Sequence, residues 1–107
     1  MTPIKHVVFV IKENRTFDNM FGLFPGADGV TVGMDRGEPR TLTPAVDRLE
    51  MDIRHCYDCA LQAWNEGTMD GFATISDAAD RYAYTQYLPE DLPNYWHWAQ
   101  EFVLGDN

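Results

Sequence analysis

Positive charge is what this chain has least of. Eight lysines and arginines stand against seventeen aspartates and glutamates in 107 residues, a formal net charge of −9. No basic stripe forms anywhere, which argues against a protein that grips nucleic-acid phosphates or is drawn to an anionic membrane surface. Long apolar runs are also missing. No stretch could span a bilayer, and the N-terminus lacks the charged-then-apolar pattern and cleavage site of a signal peptide. The apolar run at 7–11 is too short, and Glu13 follows at once. Cysteine is scarce, with only Cys56 and Cys59 present, so a zinc ribbon has no second pair. No internal repeat, low-complexity tract or interdomain linker is visible. The remainder is 45% hydrophobic and 13% aromatic, enough to pack a core in one small domain.

Residues 4–22 organise the rest. Val7, Val8, Val10 and Ile11 are β-branched and Phe9 is aromatic, side chains that are stiff and pack well on a pleated surface. Without alternation, such a run predicts a strand buried on both faces, as in a parallel sheet between helices. It stops at Lys12-Glu13-Asn14-Arg15, which places four polar residues at the C-terminal edge of the strand. Open α/β sheets bind ligands at that edge. Glu13 and Asn14 offer a carboxylate and an amide oxygen, donors that suit a divalent cation. They could equally solvate a turn. Thr16 is suited to cap a short helix over Phe17–Phe21, with Gly22 ending it.

Residues 22–50 read as loop. Pro25-Gly26-Ala27-Asp28-Gly29 is a turn cluster and Val30 to Gly33 a brief extended piece. Arg36-Gly37-Glu38-Pro39 and Thr43-Pro44 break any regular element after it. The spacing predicts a helix from Asp52, its N-cap, to Trp64, with Cys56, Cys59, Ala60, Ala63 and Trp64 on one apolar stripe and Gly67 as a left-handed cap. Cys56 and Cys59 are then expected in the core, since a disulfide at that spacing inside a helix is awkward. His55, in the first turn, either binds a phosphate or shuttles a proton, or is a surface or satisfied histidine. A short helix and irregular chain follow over 73–88. Tyr82, Tyr84 and Tyr87 either pack at a rim or line a pocket for a lipid or aryl group. A last helix opens at Pro89–Pro93. Its stripe is Leu92, Tyr95, Trp96, Ala99 and Phe102, with Trp96 and Trp98 on different sides. Phe102–Leu104 is expected to begin another strand.

Glu13-Asn14-Arg15-Thr16-Phe17-Asp18, behind an apolar strand and ahead of Phe21-Gly22, resembles the Glu-Asn-Arg-Ser/Thr-Phe-Asp signature of the bacterial phosphoesterase family, which holds phospholipases C and acid phosphatases. Gly67-Thr68-Met69-Asp70-Gly71-Phe72 resembles that family's Gly-x-Met-Asp-Gly-Phe segment, although relatives often carry lysine where Thr68 stands. Leu92-Pro93-Asn94-Tyr95-Trp96 and the terminal Asp106-Asn107 are similar to further family positions. The resemblance implies an α/β, alkaline-phosphatase-like fold with a mostly parallel sheet between helices. Residues 1–107 would be the N-terminal part of a single catalytic domain, incomplete at the C-terminus.

By the same resemblance, Glu13 and Asn14 would be metal ligands and His55 a catalytic residue. The cofactor would be a divalent metal ion, and the substrate a phosphoester, with phospholipid among the candidates. Arg15 would brace the Glu-Asn turn by an ion pair with Asp18 or a neighbour. The hydroxyl nucleophile and the aspartates completing the metal site would lie beyond Asn107, so Asp70 and Asp106 are not drafted into that role. Relatives are often exported, which leaves room for an upstream segment. The rival expectation is a non-catalytic chain that binds a cation or a partner. A sulfatase is disfavoured, because no Cys/Ser-x-Pro-x-Arg-like segment is present.

Overall fold

The computed structural model describes residues 3–106, and Asn107 of the expected Asp-Asn pair lies outside them. The architecture is mixed. Helix α1 (Phe17–Phe21) is followed by strands β1 (Val32–Asp35), β2 (Glu38–Thr41) and β3 (Thr43–Pro44), then by helices α2 (Tyr57–Trp64) and α3 (Asp77–Tyr82), strand β4 (Thr85–Gln86) and helix α4 (Pro93–Glu101). β1 and β2 form an antiparallel hairpin with Val32 opposite Thr41 and Asp35 opposite Glu38. β3 and β4 pair in parallel over two residues. Helix and strand are therefore mixed, consistent with an α/β chain, but the strands form two small sheets of which only the two-residue β3–β4 pair is parallel, not the mostly parallel sheet expected.

The hairpin corrects the reading of 36–39 as a breaker. Arg36 and Gly37 both take positive φ, 50° and 82°, the backbone of a two-residue turn whose twist matches the flanking strands. Pro39 sits in a two-stranded sheet, which leaves an edge where a missing N–H is tolerated.

The segment 7–11 is the larger correction. Among the described residues it pairs with no strand, and its side chains are 69–85% exposed. Composition gave it strand propensity, but a strand needs a neighbour for its N–H and C=O groups and for both apolar faces. Phe102–Leu104 likewise forms no strand, and Phe102 and Val103 are exposed.

Side-chain caps start α1, α2 and α3, whereas α4 opens on Pro93 without one. Thr16 Oγ1 accepts from Asn19 N at 3.1 Å at the head of α1, and Ser76 Oγ accepts from Ala79 N at 3.2 Å at the head of α3. α2 begins five residues later than Asp52 because Cys56, in extended backbone, is its N-cap, with Sγ accepting from Cys59 N. At its end Asn65 is left-handed, ahead of Glu66 and Gly67, which also have positive φ. The buried stripe of α2 narrows to Cys59 and Ala63, while Trp64 is half exposed.

The core is thin, consisting of Cys59, Ala63, Ala73, Ala78, Ala79, Tyr84, Tyr87 and Trp96. Close backbone approach makes part of it: a Cβ on Gly71 would lie 2.0 Å from the Gln62 carbonyl oxygen, so only glycine lets the 3-10 turn at Phe72–Thr74 meet α2. Trp96 fixes α4 to α1. Its Nε1–H donates to Met20 O at 3.1 Å, and its ring meets Phe24 edge-on at 5.2 Å. Trp98 faces the other way and is 54% exposed.

Candidate functional site

α1 begins directly after the polar turn. Glu13 and Asn14 are both exposed, and Asn14 is left-handed with φ 62°, a conformation asparagine adopts more readily than most residues. Arg15 braces the turn, but not through an ion pair with Asp18. Its Nη1 donates to the Asn14 carbonyl at 2.6 Å, and its Nε donates to the Tyr87 hydroxyl at 3.3 Å. Asp18 is turned to another task, its Oδ1 accepting from Val30 N at 2.8 Å. Gln86, nearly fully buried in β4, donates from Nε2 to both Asp18 O and Val30 O at 3.3 Å. Asn19 Nδ2 donates to Thr85 O at 2.8 Å. The turn is thus anchored through α1 to β4, more than sixty residues away in sequence.

A cavity of about 400 Å³ adjoins this corner. Asn14, Arg15 and Asp18 share its wall with Met34, Ile53, Phe72, Tyr84 and Tyr87. Its size and mixed lining are those of a small-molecule pocket. Tyr84 and Tyr87 are buried, and Tyr82 also lines the wall, so the tyrosines both pack and line the pocket. Tyr84 donates to Met34 O at 2.6 Å, and the Arg40 guanidinium lies over its ring at 4.6 Å. Burial pushes the Tyr84 phenol above its ordinary value.

His55 does not line the cavity. It precedes the Cys56 cap rather than standing in the first helical turn, and its exposed ring has Nε2 3.6 Å from an Asp52 carboxylate oxygen. Cys56 and Cys59 are joined in a disulfide, contrary to the expectation of a reduced core pair. The bridge is accommodated because Cys56 is extended and outside the helix, with Cα atoms 5.0 Å apart.

Asp70 proves to be a structural hub. It is buried, its Oδ1 accepts from Asn65 Nδ2 at 2.7 Å and from the Thr68 hydroxyl, and its Oδ2 accepts from Gly37 N at 2.7 Å. The hydrogen bonds from Asn65 and then Thr68 hold its carboxyl below the usual carboxylate range. Thr68, standing where relatives often have lysine, spends its hydroxyl on this hub. Asp35 is held low too, first by the hydrogen bond from Arg36 and also by Arg40, against the opposing effect of burial. Arg40 continues to Asp80 at 2.8 Å. Asp106 accepts from Asp28 N at 2.8 Å and so ties down the Pro25–Gly29 turn. Among the described residues no group of three or more His, Cys, Asp or Glu side chains is placed to hold a metal ion. No helix among them is long and apolar enough to cross a membrane.

Comparison with known proteins bears on this arrangement directly. The model of the phosphoesterase family matches residues 4–107. The chain belongs to the phosphoesterase family. Curated relatives of this phosphoesterase-family chain include the non-hemolytic phospholipase C of Pseudomonas aeruginosa, 27% identical over 99% of the chain, and non-specific phospholipase C3 of Arabidopsis thaliana, 24% identical over 98%. The chain spans 18% and 26% of the lengths of those two relatives. No solved structure matches it.

Proposed function

We propose that these residues supply one edge of the active site of a phosphate-ester hydrolase with an alkaline-phosphatase-like fold. The observation that supports this best is the family match across 4–107, which takes in the Glu13-Asn14 turn and the His55 segment together. In such a fold residues 7–11 would be a strand of a mostly parallel sheet, which would bury the side chains that are exposed here.

Glu13 and Asn14 would be two ligands of a divalent cation. When bound, such an ion lowers the pKa of the attacking hydroxyl and stabilises charge on the phosphoryl oxygens. Two ligands are too few for a catalytic site, which takes three or more protein groups. The remaining ligands and the hydroxyl nucleophile would come from outside these residues. Arg15 holds the Asn14 carbonyl and keeps the donor-bearing turn in its left-handed form. His55 would bind the phosphoryl group or protonate the leaving oxygen. Both curated relatives are named phospholipases C, which puts phospholipids among the substrates. The cavity beside Asn14 and Arg15 offers apolar wall for a leaving group.

A second reading applies to the 107 residues on their own: a non-catalytic module that binds a cation or a partner. The exposed apolar segment 7–11 supports its partner-binding form. The test between roles for His55 is His55→Ala in an active phosphoesterase that contains this segment. Acid–base help predicts a loss of roughly 10²–10⁴-fold in turnover at unchanged melting temperature. Near-normal turnover with a lowered melting temperature would contradict a catalytic His55.

A further inference from the structure

The C-x-x-C pair is not used by the proposed hydrolysis, and its surroundings are asymmetric. Cys56 is exposed and stands outside α2 as its N-cap, whereas Cys59, in the first turn, is buried. The Cys59 N–H donates to Cys56 Sγ at 3.1 Å. One sulfur is therefore on the exposed residue, beside a backbone donor at a helix N-terminus, and the other is shielded. That environment stabilises a thiolate on the outer cysteine and leaves the inner one as the resolving partner.

We propose that Cys56–Cys59 is a thiol–disulfide exchange site whose redox state sets the freedom of the 52–56 segment at the head of α2 and the placement of His55, which is bonded directly to Cys56. The co-reactant is a dithiol reductant. Its first thiolate attacks Cys56 Sγ, forming a mixed disulfide. The Cys56–Cys59 bond breaks, and its electron pair leaves on Cys59 Sγ, which takes a proton from solvent. The second thiolate of the same dithiol attacks the mixed disulfide, and Cys56 is released as a thiolate. The protein gains two electrons and the dithiol leaves as a cyclic disulfide. In the reduced state Cys56 still accepts from the Cys59 N–H as a cap but is no longer tied to Cys59, so the 52–56 segment gains freedom. Any effect on hydrolysis rests on the proposed role of His55; the exchange chemistry does not.

The test needs no turnover assay. The 107-residue chain is equilibrated with graded ratios of reduced to oxidised dithiothreitol, quenched with an alkylating maleimide and mapped by mass. The His55 ring signals are followed by NMR in the same series. The expected result is a single two-electron transition completed without loss of the folded spectrum. Alkylation at Cys56 should run at least about tenfold faster than at Cys59, and the His55 signals should move with the same midpoint. Cys56→Ser keeps a capping oxygen and should fold, with His55 signals fixed near the reduced position at every ratio. A bond that opens only when the chain unfolds, thiols that are free under oxidising conditions, equal alkylation of both cysteines, or His55 signals indifferent to the transition would each overturn the proposal.

Discussion

Asp70 carries a prediction set by the sign of its shift. Its folded-state carboxyl is held below the ordinary range by Asn65 and Thr68. Between the two pKa values the unfolded chain therefore binds more protons than the folded one, and stability rises with pH. The contribution is complete above the ordinary carboxylate range, near pH 4, and is lost as pH falls through the folded-state value. Melting temperature should drop steeply below about pH 4 in the native chain. In Asp70→Asn it should start lower and fall less steeply over the same interval. Parallel pH profiles for the two proteins would contradict the hub. Asn65 and Thr68 lie within five residues of Asp70, but its third partner, the Gly37 N–H of the hairpin turn, is 33 residues away and no local pattern announces it. Glu13 and Asn14 were easier to single out as candidates, since a polar step after an apolar run is visible in a few adjacent letters. The Arg15–Tyr87 and Gln86–Asp18 bonds span 72 and 68 residues, and no short-range pattern announces them.

Among the elements, helices were legible where a capping side chain and a 3.6-residue repeat agree. α1 matches its expected bounds, Phe17–Phe21, since Thr16 does what a cap does. The head of α2 was misread because Asp52 is a good cap by type, while Cys56 caps by position, its extended backbone bringing Sγ to the Cys59 N–H. α4 depends on one side chain. Trp96→Ala removes the ring against Phe24 and the bond to Met20 O and should cost about 3–5 kcal/mol, read as a fall in the midpoint of urea unfolding. A cost under about 1 kcal/mol would show that α4 does not rely on this contact. The segment 7–11 teaches the opposite lesson. Its composition specifies a strand, but pairing is a property of two segments, and neither expected strand forms among the described residues. Its exposed Val8 and Val10 should drive association of the isolated chain. Val8→Lys with Val10→Lys should shift sedimentation toward monomer, and an unchanged distribution would place the sticky surface elsewhere.

For the molecule as a body, the radius of gyration is 16.2 Å, against about 13 Å for a compact domain of this length. The core is built largely of alanines and a few aromatics, with the apolar segment 7–11 left outside. The chain spans 18% and 26% of its relatives' lengths, and under the proposed function it is one portion of a larger phosphoesterase. The proposed hydrolysis stands or falls on the Glu13-Asn14 turn holding the catalytic cation of that enzyme. Glu13→Gln keeps the shape and removes the charge, so it is the sharpest probe of that turn. It is made in an active phosphoesterase containing these residues, with bound metal and turnover measured on one preparation. A Glu13 ligand predicts loss of the metal and a fall in turnover of about 10³-fold or more, the several kcal/mol that such an ion supplies. Metal content and rate both unchanged would contradict it.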